Sequence, residues 1–154
     1  MFIEGVSPAS NTIQTNDYQT EIQNIVYVSA TGAGNMDGTS ESTAFGNFGV
    51  AMSNITSGGD KLIIVGTITP DGANLTSKNF AFSIEGLNTS STLSGNGGTG
   101  RLFTINGSTS ANVTFKNLTF SNNNTTLAGG SVFFSNGAGA TVTFNNCTLT
   151  GNSV

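Results

Sequence analysis

The chain contains no histidine and one cysteine, so its chemistry would rest on eight carboxylates and four cations. The carboxylates are Glu4, Asp17, Glu21, Asp37, Glu41, Asp60, Asp71 and Glu85; the cations are Lys61, Lys78, Arg101 and Lys116. Glycoside hydrolysis needs a pair of carboxylates flanking one bond. A calcium-assisted lyase needs a carboxylate cluster, because calcium takes six or more oxygens, with a basic residue beside it. None of the eight carboxylates falls in the repeating stretch 112–152, and Arg101 and Lys116 have no carboxylate close in sequence. They read as solvated surface charges. Asp37 with Asn35 is the one candidate for a loop calcium, and the turn signal Asp37-Gly38 explains both residues without an ion. Cys147 has no partner for an intrachain disulfide and no histidine to activate it; it reads as a small buried hydrophobe. No catalytic residue, cofactor or metal ligand is assigned.

The elements that would carry such residues are legible in Asn112–Asn152. Val113 falls on Val142, Phe115 on Phe144, Asn117 on Asn146, Leu118 on Cys147, Thr119 on Thr148 and Phe120 on Leu149, at a constant offset of 29. Upstream, Asn106 falls on Asn136 at an offset of 30. Each copy alternates apolar and polar residues, breaks phase at Lys116-Asn117 or Asn145-Asn146, and alternates again. Alternation means an extended strand with one buried face. A phase slip would turn that face to solvent unless the chain bends there. Each copy is thus two short strands meeting at a corner, which is one coil of a parallel β-solenoid. Asparagine tolerates the left-handed backbone of sharp corners, and stacked amides can bond from layer to layer. Asn117 over Asn146 and Asn106 over Asn136 are the expected ladders. Thr114 over Thr143 and Thr119 over Thr148 form outward ranks, as β-branched residues in strands do.

Charged residues make up 8% of the 154, the net charge is −4, and eleven phenylalanines are present. That composition favours a folded, single-domain chain over a disordered one. Four cations are too few for a nucleic-acid surface. No apolar run of 18 residues exists to span a membrane, and no basic-then-apolar leader follows Met1.

Residues 1–24 read as an extended arm or flexible tail. Ile25–Val28 is a short strand, followed by a glycine-dense loop. Phe45, Phe48, Met52 and Ile55 recur at helical spacing, so a capping helix is expected over about 44–56, started by Ser42 or Thr43. The cap as a whole spans about residues 25–58, with the β-helix domain running from 25 to 154. Solenoids need such a cap to cover the apolar layer and strand edge of an end coil. Asp60–Gly66, Phe80–Gly86 and Ser91–Gly95 are expected to form the first coil. Arg101–Asn106 then opens the second and Ser131–Asn136 the third.

In order, the runs Asn24–Ser29, Asp37–Thr39, Gly59–Ile64, Gly100–Asn106, Val113–Phe120, Gly129–Val132 and Asn145–Asn152 resemble a particular family. It is the amino-terminal part of adhesin-like surface proteins with a pectate-lyase-like right-handed parallel β-helix. The resemblance covers about residues 24–154. It implies an exported, non-enzymatic, many-coil stalk or binding surface; residues 1–23 match no part of it. A carbohydrate-active enzyme or carbohydrate-binding module on the same scaffold is the alternative.

Nine Asn-x-Ser/Thr triplets fit an exported chain. Asn54, Asn74, Asn88, Asn112, Asn123 and Asn124 are the candidate glycan acceptors, whereas Asn106, Asn117 and Asn146 are claimed by the ladders. The last coil is expected to stand uncovered after Val154. Two completions follow: further coils of a longer chain, or a second molecule stacked head to tail. Cell-surface glycans are a further candidate partner.

Overall fold

Each alternating run becomes a short strand, and each break in alternation becomes a corner. A computed structural model describes residues 23–70, 73–75, 78–97, 100–105, 111–127, 130–136 and 139–154, the side chains of 73 and 74 excepted. The expected arm at 1–24 therefore lies outside the described residues up to residue 22.

The first strand, β1 (Ile25–Ser29), is followed by the cap helix α1 (Phe48–Ser53). The coils then run β2 (Lys61–Val65), β3 (Thr67–Ile68), β4 (Ala73–Asn74); β5 (Ala81–Gly86), β6 (Thr92–Ser94), β7 (Phe103–Ile105); and β8 (Asn112–Lys116), β9 (Thr119–Ser121), β10 (Phe133–Ser135). β11 (Thr141–Asn145) and β12 (Thr148–Thr150) begin a fourth. Every pairing among these strands is parallel, and equivalent strands stack into three sheets: β1-β2-β5-β8-β11, β3-β6-β9-β12 and β4-β7-β10. The chain forms a right-handed parallel β-helix with a short helical cap. Layers rise by about 4.8 Å, the spacing of hydrogen-bonded strands.

Register explains the core. Val26, Leu62, Ile84, Phe115 and Phe144 align in one inward column of the first sheet, and Phe82, Val113 and Val142 in another. Ile68, Leu93, Phe120 and Leu149 form the matching column of the second sheet. The rings of Phe48, Phe103, Phe115 and Phe144 follow one another at centroid separations of 5.9, 5.1 and 5.3 Å. An aromatic spine thus runs from the cap to the last layer.

The coil assignment of the early strands differs from the expectation. β2 and β5 are not two sides of one coil but neighbours in one sheet, with Lys61 opposite Ser83. β6 stacks on β3 instead of closing a third side. The first turn is shorter than those that follow, so its copy never lines up at the later offset.

The helix also differs. It covers only Phe48–Ser53, capped by Asn47, whose Oδ1 accepts from the Val50 N–H at 2.9 Å. Glu41–Thr43 is a separate 3-10 turn, and between the two Phe45 leaves helical geometry to bridge Val28. Gly46 lies against the backbone of Thr31 and Gly32, where a Cβ has no room. Those backbone contacts outweigh the helical spacing of Phe45, while Phe48, Met52 and Ile55 are buried as the spacing predicts.

Candidate functional site

The corner between the first two sheets repeats one geometry. Asn117 and Asn146 adopt left-handed backbone, with φ of 53° and 51°. Gly86 holds the same corner one coil earlier, and a Cβ there would collide with the Asn117 carbonyl oxygen. Asn146 Nδ2 donates to Asn117 Oδ1 at 2.8 Å, on the exposed outer surface. Thr89, Leu118, Thr119 and Thr148 join these two asparagines in lining an uncharged groove of about 210 Å³. Asn106 lies outside the described residues; Asn136 is exposed at the end of β10, its N–H donating to the Ile105 carbonyl at 3.1 Å.

On the outer face of the first sheet, register brings together charges that are far apart in sequence. Lys116 Nζ donates to Glu85 Oε1 at 3.0 Å, and Lys61 Nζ lies 3.8 Å from the same oxygen. Ser83 Oγ donates to it at 2.7 Å. Partial burial pushes the Glu85 carboxyl up, but the Ser83 hydroxyl and the two ammonium groups outweigh it, leaving it below the usual range. Lys116, read from sequence as solitary, therefore has a partner. The pairing signal was vertical rather than local: Glu85 stands opposite Lys116 only once β5 and β8 are in register.

Two further carboxylates, Asp37 and Asp60, staple loops. Asp37 accepts from Asn35 Nδ2, the Thr39 N–H and Thr39 Oγ1, all within 2.9 Å. Those bonds, the Thr39 hydroxyl foremost, hold its carboxyl far below the usual range. Asp60 is buried and accepts from the N–H groups of Asn24, Thr56 and Ser57 and from the Ser57 hydroxyl, at 2.8–3.0 Å. Burial raises its pKa, yet these four donors together bring it below the ordinary value. Sequence reading missed Asp60 as the fastener of the cap, although the run Ser57-Gly-Gly-Asp60 is a turn with a side-chain acceptor at its end. Among the described residues no three His, Cys, Asp or Glu side chains gather in a way that could hold a metal ion.

The candidate acceptors for glycans separate into different environments. Asn88, Asn112, Asn124 and Asn54 are exposed. The amide of Asn54 donates to Val50 O at 2.9 Å, and Asn88 Oδ1 accepts from the Ser90 N–H and hydroxyl. Asn124 Oδ1 accepts from Ser153 Oγ at 2.7 Å. Asn74 lies in β4, with its side chain outside the description. Asn123 is a correction: it is 2% exposed and its Nδ2 donates to the Ser131 carbonyl, so no glycan can reach it in the folded chain. The turn at 122–125 tucks this amide inward to satisfy a buried backbone acceptor.

The two ends of the solenoid differ most. Val113, Phe115 and Leu118 are buried, and Phe115 has no exposed area. One layer on, Val142 and Cys147 are half-buried, while Phe144 is 42% and Leu149 56% exposed. Cys147 Sγ lies 3.5 Å from the Phe115 carbonyl oxygen, a free thiol in Leu118's column but only partly covered. Among the described residues β11 and β12 are terminal in their sheets, each paired on one side alone. Their other edge presents backbone donors and acceptors beside an uncovered apolar layer, which is a template for strand addition. At the opposite end the edge of β1 is occupied. The Tyr27 N–H donates to Gly38 O, the Phe45 N–H to Tyr27 O and the Ser29 N–H to Phe45 O, at 2.8–2.9 Å. α1 covers the layer beneath with Phe48, Ala51 and Met52.

The chain matches no protein-family model, no curated protein and no solved structure. The architecture defines its class, a parallel β-solenoid. Among the described residues no helix is long and apolar enough to cross a membrane.

Proposed function

We propose that this chain is a non-enzymatic structural module of an extracellular, adhesin-like β-helix protein, extended by strand addition at the edge formed by β11 and β12. One observation carries the reading: Phe144 and Leu149 continue buried columns yet stand open to solvent, next to strand edges that are unpaired among the described residues. Covering one such side chain is worth about 1.5–3 kcal/mol, and the backbone of both strands would gain partners. The added strands come from further coils of a longer chain or from a second molecule. The outer surface supports a passive role, since Glu85 is neutralised by Lys61 and Lys116 and faces no second carboxylate among the described residues. The resemblance of the ordered sequence runs to adhesin-like surface proteins supports the extracellular placement. The test is a chain lengthened by a second copy of residues 123–152. The amides of β11 and β12 should then exchange with deuterium at least tenfold more slowly; unchanged rates would overturn the reading.

A second reading has one feature in its favour. The uncharged corner groove lined by Asn117, Asn146, Thr119 and Thr148 offers amides and hydroxyls suited to sugar hydroxyls. Titration with neutral and acidic oligosaccharides checks it: saturable binding lost in Asn146→Ala would support a carbohydrate-binding module on this scaffold.

A further inference from the structure

The Asn-x-Ser/Thr triplets are not equivalent in the folded chain, and Asn88-Thr89-Ser90 stands apart from the rest. Residues 88–91 turn the chain from β5 towards β6. The Asn88 carbonyl accepts from the Ser91 N–H at 3.1 Å, and the Asn88 N–H donates to Ser91 Oγ at 3.3 Å. Ser91 is fully buried, and its hydroxyl donates to the Ile64 carbonyl, one coil earlier, at 2.8 Å. The turn is thus pinned to the solenoid at its foot, while Asn88, Thr89 and Ser90 are exposed. Asn88 Oδ1 accepts from the Ser90 N–H at 3.0 Å and from Ser90 Oγ at 2.6 Å. An asparagine turn of this kind folds the side-chain amide back over the residue two places on. It sets the amide and the hydroxyl of one triplet side by side. Asn88 Nδ2 is left without a partner among the described residues.

The other described triplets each lack a part of this arrangement. Asn54 commits its Nδ2 to the Val50 carbonyl, and the N–H of Thr56, its third residue, is held by Asp60. Asn112 lies in β8, where extended backbone carries its side chain away from Thr114. Asn123 is buried, and Asn124 Oδ1 accepts from Ser153 instead of from its own Thr126. Asn117 and Asn146 are bonded to each other.

We infer that Asn88 is the N-glycan acceptor of the folded chain. The inference rests on the extracellular placement proposed above and is independent of strand addition at β11 and β12. The donor is an oligosaccharide carried on a polyprenyl diphosphate and delivered by a transferase. Asn88 Nδ2 forms a bond to the anomeric carbon as that carbon's bond to the diphosphate oxygen breaks. The lipid diphosphate departs with the electron pair, and one amide proton passes to a base of the transferase. Ser90 supplies the hydroxyl that makes the triplet an acceptor signal, already placed beside the amide. Thr89 lines the corner groove, so the glycan stands at the rim of that groove.

The test incubates the folded chain, made without glycans, with a single-subunit oligosaccharyltransferase and its lipid-linked donor. The enzyme used is one that modifies a free peptide of residues 85–93. Intact mass should rise by one glycan, and peptide mapping should place it on Asn88. Asn88→Gln and Ser90→Ala should each abolish the gain, whereas Asn54→Gln should leave it unchanged. Glycan spread alike over several triplets would show that exposure alone decides, and would overturn the inference. So would glycan on another triplet with Asn88 bare, or a folded chain left unmodified while the peptide is modified. Strand addition is judged separately, by the deuterium exchange of the lengthened chain.

Discussion

Phe115 and Phe144 occupy the same column of the same sheet, in copies of one sequence pattern, yet one is sealed and the other is 42% exposed. At the cap end, layers of similar composition are closed by α1 and by the loop that bonds to β1. The difference lies in what is stacked on the next layer, not in residue type. In a solenoid each layer's burial depends on its neighbour, so an inward pattern specifies a half-built core until something covers it.

Truncation gives the largest effect with which to test that contrast. Phe115→Ala should cost about 3–5 kcal/mol, since it leaves a cavity amid the rings of Phe103, Phe120 and Phe144. Phe144→Ala should cost about 1 kcal/mol or less in the single chain, where much of the ring's environment is water. Urea denaturation of the two variants measures the pair. Equal losses there would mean that the last layer is covered from within the chain.

The capped end has its own weak point. Asp60→Ala orphans the N–H groups of Asn24, Thr56 and Ser57, and should cost on the order of 3 kcal/mol. Proteolysis should then begin in the cap, before β11 and β12 are attacked.

Acid should probe the same fastener. The folded pKa of Asp60 is depressed, so its contribution is fully present above the unfolded value of about 3.9 and is lost as pH falls through the folded one. Glu85 acts in the same direction. Stability measured from pH 6 downward should hold to about pH 4 and then decline. Asp60→Asn should flatten much of that decline; an unaltered acid limb would remove Asp60 from the cap's account.

Corners and surface charges should matter less. Asn117→Ala loses the amide that receives Asn146 and places a Cβ residue at positive φ, a loss of about 1–2 kcal/mol. Asn117→Gly should cost only tenths, because glycine meets the same φ freely. The smallest effect belongs to Lys116→Ala, roughly 0.2–1 kcal/mol and fading in high salt, as partly exposed ion pairs do.

The repeat at 112–152 made the parallel stacking of β8 with β11 and of β9 with β12 legible residue by residue, because both copies have coils of one length. Register there follows directly from the offset. The first coil was not legible, since β2 and β5 stack across a shorter turn and share no aligned motif. The Lys61–Glu85–Lys116 cluster and the Asp60 fastener were hidden for a related reason. Asn24 lies 36 residues from Asp60, and Lys61 and Lys116 lie 24 and 31 from Glu85, separations that mean nothing until the coils are wound.

By itself the sequence determined the period, the inward columns and the corner asparagines, since alternation and left-handed backbone are properties of a few adjacent residues. It also set the absence of charge along 141–152. Only the tertiary structure decided that Phe45 bridges Val28 instead of extending the helix, that Asn123 turns inward, and that the edge of β1 is filled while those of β11 and β12 are open among the described residues. Each of these depends on which remote backbone groups arrive beside it, and hydrogen-bond partners across layers are chosen by winding, not by local sequence.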